Sequence, residues 1–317
     1  MPLKLLFTMT LTLALLFGLM FGILAMVSYY FGLSGYIPLI LALLMIGIQW
    51  FIGPKVIWWT TNMRLLKHTE YPWLQDTVKE ICISNRVPVP KIAIVKSGGP
   101  NAFVFGRTPS SATLAVTIGL LDRLTKNEVR AVVAHEVGHI KHKDMIVMTL
   151  VSVVPVLAYF VARFMIFAPR DRNKGKGSAA IVVGITAFAI YFISNLLVLA
   201  LSRMREFHSD KFAGMNVKPT LLASALAKIT YGLSLNKTKT NSAARSFFIA
   251  DPVSSVKEVS ALSSHYSDLK LTDEELKDAM KWEKKNPLMK FGEIFRTHPL
   301  TYKRIAALME LEKSQAM

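Results

Sequence analysis

From Leu5 to Pro54 the chain runs for 50 consecutive residues without an aspartate, glutamate, lysine or arginine. A water-soluble core has no need of so long a stretch, because the outer face of each helix must meet solvent. A helix crossing a bilayer does need about 20 mostly apolar residues. The block is long enough for two such helices, with a break at Gly32-Leu33-Ser34-Gly35, and spans are expected at 5–29 and 36–57. A second pair follows. Residues 145–162 carry no charge, Arg163 interrupts, and the apolar run goes on to Ala168; residues 177–202 are again uncharged. Arg163 lies near a span end and can snorkel to the headgroups, and Pro155 predicts a kink in the third span. A cleaved signal peptide fits the first span badly. The apolar region is too long, only Lys4 precedes it, and no A-x-A site follows. It reads as an uncleaved anchor.

With 38 Lys and Arg against 21 Asp and Glu, the net charge is +17. Such a balance suits either nucleic acid or an anionic leaflet. The chain has no zinc-knuckle, RRM or helix-turn-helix pattern, and 52% of its residues are hydrophobic, so the lipid bilayer is the expected partner and nucleic acid is not. The loop between the first two spans has no basic residue. The other flanks hold Lys4, Lys55, Arg64, Lys67, Lys141, Lys143, Arg203, Arg205 and Lys211, and that side is expected to be cytoplasmic. The loop 169–176, with four basic residues, runs against this pattern, which makes the last hairpin the weaker part of the topology.

Between and after the spans lie two polar stretches. The expected organisation is an N-terminal transmembrane hairpin (1–57), a first soluble part (58–144), a second transmembrane hairpin (145–202) and a second soluble part (203–317), the two soluble parts forming one catalytic body. Residues 71–85 have a helical pattern. Lys91–Val95, Ala102–Phe105 and Ala112–Thr117 read as strands of a small sheet. Thr125-Lys126-Asn127-Glu128 matches a capping box opening a helix to about Lys143, and Thr272-Asp273-Glu274-Glu275 opens another near 273–285. The rest of the C-terminal half looks helical. The fold class is therefore a mainly α membrane protein, with about four transmembrane helices and a cytoplasmic α+β domain containing a small sheet.

The first capped helix carries His135-Glu136-Val137-Gly138-His139, an H-E-x-x-H pattern. Residues four apart share a helical face, so both imidazoles can hold one ion. Glu136 is directed at the open coordination position, where it can take a proton from water. Zinc suits such a site, being content with two His, one carboxylate and one water. The single cysteine, Cys82, makes neither an internal disulfide nor a Cys-based site, so His and carboxylate must hold any metal. The third ligand has five downstream candidates: Glu206, His208, Asp210, His265 and His298. Glu206 and Asp210 are four apart, one able to complete a His₂Glu set and the other to accept the outer N–H of a ligand His; alternatively both belong to a solvated face paired with Arg203 or Arg205. Position favours the ligand role. His139 stands a few residues before the third span and Glu206 a few after the fourth, so a membrane hairpin would bring both within roughly 10 Å of the same boundary.

These residues together resemble the HtpX family, membrane-integral zinc metalloproteases related to the Ste24 prenyl-protein endopeptidases. The resemblance runs through two N-terminal spans, Pro100-Asn101-Ala102-Phe103-Val104-Phe105-Gly106, the metal-motif helix, a hydrophobic pair, Ser202-Arg203-Met204-Arg205-Glu206 with Asp210, Thr297-His298-Pro299 with Arg304-Ile305, and, more weakly, Phe248-Ile249-Ala250-Asp251-Pro252. It implies a zincin-like domain in which His135, His139 and Glu206 bind one zinc per chain, Glu136 is the general base and Asp210 supports the site. His208, about 200° around the helix from Glu206, is not expected to bind zinc, and His142 is read as a surface residue. Two roles are open to His298: hydrogen bonding to substrate or oxyanion, or opening a helix ahead of Pro299. The Asn101–Gly106 segment is either an edge strand that pairs with extended substrate or an ordinary core strand.

The function implied is hydrolysis of peptide bonds in membrane or misfolded proteins, a quality-control role in the cell membrane, with protein or peptide substrates. A narrower prenyl-peptide processing protease and a non-catalytic membrane scaffold with structural zinc are the alternatives; four spans speak against the first, and a closed fourth ligand would be needed for the second. Oligomeric state, natural substrates and cleavage preference leave no mark in the sequence.

Overall fold

The computed structural model describes residues 3–34, 36–167, 177–234, 280–281 and 283–316. In chain order the elements are α1 (Leu3–Phe31), α2 (Tyr36–Thr61), β1 (Met63–Leu65), α3 (Pro72–Ser84), β2 (Lys91–Val95), β3 (Ala102–Phe105), β4 (Thr113–Thr117), α4 (Ile118–Arg123), α5 (Lys126–Lys141), α6 (Asp144–Phe167), α7 (Gly177–Asn216), α8 (Pro219–Ser234), α9 (Pro287–Gly292) and α10 (Thr301–Ala316). They form two compact units. One comprises Met1–Gly53 with Ile146–Ser202, the other Pro54–Met145 with Arg203–Met317.

The first unit is helical. Among the described residues, four helices are long and apolar enough to cross a membrane: Phe7–Phe31, Leu39–Thr61, Asp144–Phe167 and Ala179–Asn216. Large apolar side chains on them, such as Phe21, Ile40, Phe164 and Val182, stay exposed, as expected where the solvent is hydrocarbon. One polar contact joins α2 to α6, with Gln49 Nε2 donating to Ser152 Oγ at 2.5 Å. α6 runs from Asp144 to Phe167 with Pro155 inside it.

The second unit is built on a four-stranded sheet in the order β1-β2-β4-β3. β2 and β4 are parallel, with Ala93 opposite Ala115, while β1 and β3 run antiparallel to their neighbours. β3 thus forms one edge. α5 packs against α3, α8 and β3, and its Val129, Val132, Val133 and Val137 enter a core shared with Leu74, Val78, Leu114, Leu222 and Leu226. The expected helix at 71–85 and the strands at 91–95 and 102–105 match the observed elements to within a residue.

Two elements differ from expectation. β1 was not foreseen, because three residues directly after a 26-residue helix carry no alternation to read; they are strand because they pair with Ala93–Val95. The fourth apolar helix does not stop at Ser202 but continues unbroken to Asn216, 40 residues in all. No Gly or Pro interrupts the charged stretch after Ser202 until Gly214. The helix opened at Thr272 begins outside the described residues, although 280–281 and 283–285 are helical. The loop 169–176, Phe248–Pro252 and His265 also lie outside them.

Candidate active site

Residues of α5, α6, α7 and α10, with the turn at Thr297–His298, assemble the site. α5 starts at a capping box: Thr125 Oγ1 accepts from the N–H of Glu128, and Glu128 returns a bond to the N–H of Thr125. Its buried face carries His135, Glu136 and Gly138. Gly138 lets α7 approach closely. A Cβ there would lie 3.1 Å from Phe212 Cδ1 and 3.2 Å from Ser209 Cα, so a side chain at 138 would push away the helix bearing Glu206. α5 ends at Lys141 with His142 as its C-cap. Lys143 takes φ +59°, and Asp144, the first residue of α6, meets His139 across this short link.

The two imidazole Nε2 atoms stand 3.1 Å apart. Glu206 faces both, with Oε1 at 3.4 Å from His139 Nε2 and Oε2 at 3.6 Å from His135 Nε2. The outer ring nitrogens have carboxylate partners. His135 Nδ1 lies 2.9 Å from Asp210 Oδ1, and His139 Nδ1 lies 2.5 Å from Asp144 Oδ2. A neutral imidazole whose proton is donated through Nδ1 keeps a lone pair on Nε2. In that tautomer two lone pairs and a carboxylate would converge, the donor set that suits a cation. Ligand atoms of His135, His139 and Glu206 all lie within 4.8 Å of one another.

Four acids, Glu136, Asp144, Glu206 and Asp210, are buried here beside two arginines, Arg205 and Arg304. Arg304 is 1% exposed and forks onto Asp210 through Nε at 2.8 Å and Nη2 at 2.7 Å. Its Nη1 reaches Glu206 Oε2 at 3.1 Å. Arg205 pairs with Asp144. Each imidazole of the pair thus faces an acid that is itself paired with an arginine. Burial holds the Glu136 carboxyl above the ordinary carboxylate range, although the neighbouring His139 and His135 pull it back.

The structure therefore brings His135, His139, Glu206 and Asp210 together, with Glu136 on the same buried face of α5. His298 joins them: its Nε2 lies 3.6 Å from Glu206 Oε1, and its Nδ1 is 2.9 Å from Thr297 Oγ1. Burial lowers the His298 pKa, although the neighbouring Glu206 acts to raise it. Asn101 is placed through the sheet. It precedes β3, its N–H donates to Thr117 Oγ1 at 2.8 Å and its carbonyl accepts from the Thr117 N–H at 2.9 Å. His142, read as a surface residue, is half-buried. It is the C-cap of α5, packed edge-on to His208 and Phe212 at ring distances of 6.2 and 6.1 Å. Burial, with the charge of His208 adding to it, pulls its pKa down to about 4. Sequence reasoning gave no site role to Asp144, Arg205 or Arg304. Asp144 looked like the polar margin of a span, and the sequence signal for it was only its place in the first turn of a helix five residues beyond His139.

Comparison with known proteins shows the family. The model of peptidase family M48 matches residues 68–312, a range that contains every residue of the cluster. A "Protease HtpX homolog" of Methanothermobacter thermautotrophicus is 41% identical over 235 residues, covering 73% of this chain and 88% of that protein. "Protease HtpX homolog 2" of Methanosarcina acetivorans is 33% identical over 315 residues, covering 97% and 95%. The crystal structure of S. mikatae Ste24p has a similar fold, with a TM-score of 0.53 at 17% identity, over 97% of this chain and 67% of that one. With four membrane-length helices and a metal-ready His-His-Glu cluster inside the matched range, the chain belongs to peptidase family M48 as a membrane metalloprotease of the HtpX type.

Proposed function

We propose that this chain is a zinc-dependent endopeptidase of the cell membrane, with its catalytic unit on the cytoplasmic side, that hydrolyses membrane or misfolded proteins in quality control. The observation that carries the metal reading is the convergence of His135 Nε2, His139 Nε2 and the Glu206 carboxylate. Tetrahedral ligand atoms 2.0–2.1 Å from zinc stand about 3.3 Å apart; the separations here are 3.1, 3.4 and 3.6 Å. His135, His139 and Glu206 would hold one zinc per chain. When bound, it supplies a Lewis acid for the scissile carbonyl and a lowered pKa for water.

The remaining steps fall to the chain's own groups. Glu136 accepts a proton from the attacking water on its carboxylate and delivers it to the leaving nitrogen. Asp210 and Asp144 hold the imidazoles in the tautomer that presents Nε2. With Thr297 Oγ1 donating to Nδ1, His298 carries its proton on Nε2 and can donate it to the developing oxyanion. β3, at the sheet edge after Asn101, can receive an extended substrate as an added strand. The basic residues flanking the apolar helices support the cytoplasmic placement. The two soluble stretches, 58–144 and 203–317, then act as one catalytic body between the membrane hairpins 1–57 and 145–202.

Casein hydrolysis with parallel metal analysis tests the reading. Activity should vanish with chelator and return with zinc, and Glu136→Gln should keep stoichiometric zinc while losing hydrolysis. A fully active Glu136→Gln protein would remove the assigned base, and a chelator-resistant activity would remove the metal.

A further inference from the structure

One surface of the second unit is poorly suited to water. In α9 and the turn that follows, Met289 points inward, whereas Leu288, Phe291, Ile294 and Phe295 are 80, 65, 42 and 50% exposed. The rings of Phe291 and Phe295 lie 5.9 Å apart. The charges around them are sorted by sign. Lys281, Lys284, Lys285 and Lys290 are exposed. The acids face the protein: Glu283 accepts from the N–H groups of Thr301 and Tyr302, and Glu293 accepts from the N–H of Leu300 and from Lys303. Four large apolar groups ringed by outward lysines form the pattern of a segment lying in a membrane interface.

A clamp sets its level. Arg203 Nη1 donates to the carbonyls of Ile294 at 3.0 Å and Arg296 at 2.8 Å. Arg203 is the first charged residue after the 26 uncharged residues of 177–202 on α7. In a bilayer, that guanidinium marks where α7 leaves the hydrocarbon. A segment hydrogen-bonded to it is held at headgroup depth.

We infer that Leu288–Phe295 is an interfacial membrane anchor, whose Leu288, Phe291, Ile294 and Phe295 enter the boundary between headgroups and acyl chains while Lys284, Lys285 and Lys290 meet anionic lipid phosphates. The segment leads directly through Arg296 and Thr297 to His298, so seating it in lipid would steady the approach to the cluster. This rests on the membrane assignment and not on the proposed chemistry.

The test uses the full chain with Phe291→Cys or Leu288→Cys, labelled with an environment-sensitive fluorophore and reconstituted in phosphatidylcholine vesicles with and without phosphatidylglycerol. Cys82 is buried and its thiol is pushed up to about 11 by burial, so it does not compete for label. Ile83→Cys, on exposed α3 surface, is the aqueous control. The expected result is a blue-shifted emission at 288 and 291, quenched by shallow nitroxide lipids several-fold more than at 83, with a larger shift when phosphatidylglycerol is present. Lys284→Glu with Lys285→Glu should remove that lipid dependence. Emission and quenching equal to the control at both positions would overturn the anchor. Protection from aqueous quencher without lipid quenching, together with disulfide-linked dimers, would overturn it in favour of a second copy.

Discussion

The two ends of α7 use one continuous helix in opposite ways. From Ala179 to Ser202 it has no charge, and Val182, Ile185, Phe188 and Phe192 stand exposed. From Arg203 to Asp210 it is rich in charge, yet Arg205, Glu206 and Asp210 are 4, 5 and 2% exposed. The helix needs no break for this, because its backbone bonds are internal and indifferent to the surroundings. What changes is the solvent that each side chain must satisfy. Hydrocarbon rewards nothing on the first stretch beyond the absence of charge, whereas on the second each buried charge survives only through a named partner.

That contrast is broken most sharply by substitution at equivalent depth in each half. Glu206→Ala removes a donor from the cluster, and activity should fall by about 10³-fold or more, with loss of stoichiometric metal by elemental analysis. Phe188→Ala shortens an exposed side chain whose alternative contact is lipid, and unfolding in micelles should shift by less than about 0.5 kcal/mol. If both proteins kept their metal and activity, the cluster would not be the working site.

Arg304→Met tests whether the buried charges stand as a network. It leaves Asp210 and Glu206 without their guanidinium, and breaking such a pair costs about 3–5 kcal/mol, measured by denaturant unfolding of the metal-loaded protein. Arg304→Lys should recover only part, since an ammonium cannot fork onto Asp210 as Nε and Nη2 do. Equal stability of wild type and Arg304→Met would mean that the acids are already neutral.

Asp144→Asn is subtler, because it keeps the size of the side chain but weakens the acceptor for His139 Nδ1 and leaves Arg205 unopposed. Partners of this kind are worth about 10–100-fold in metal affinity, read by competition with a fluorescent chelator. Unchanged affinity would show that Asp144 serves only Arg205.

Sequence alone revealed what is periodic or local. The uncharged runs mark the membrane-length helices, the Thr125–Glu128 box marks the start of α5, and the four-residue spacing of His135 and His139 marks a shared face. Glu206 could be ranked above its rivals by chain geometry and family likeness. The partners behind the ligands were not visible in that way. The His139–Asp144 contact depends on the left-handed Lys143 between two helices, and Arg304 reaches Asp210 across 94 positions. His142 looked like a surface residue because nothing in its neighbourhood announces Phe212 and His208 as a wall. Long-range packing decides these positions, and no pattern of short period encodes it.

The smallest expected effect lies away from the cluster, at the opening of α5, and it asks whether a buried acid outside the metal site follows the same rule. Glu128 is 3% exposed and accepts from Lys228 Nζ at 2.5 Å, Ser224 Oγ at 2.6 Å and the N–H of Thr125 at 2.8 Å. Burial raises its pKa, but these bonds outweigh burial and hold it below the ordinary carboxylate value. A carboxylate with a depressed folded pKa stabilises the fold above its unfolded value, about 4.3, and loses that contribution as pH falls through the folded one. Glu128→Gln should therefore cost about 1–2 kcal/mol at pH 7 and progressively less below about pH 4, where the wild-type side chain also becomes neutral. A stability difference between the two proteins that stays constant from pH 7 to well below pH 4 would show that the carboxylate charge contributes nothing, and that the capping bond alone sets the start of α5.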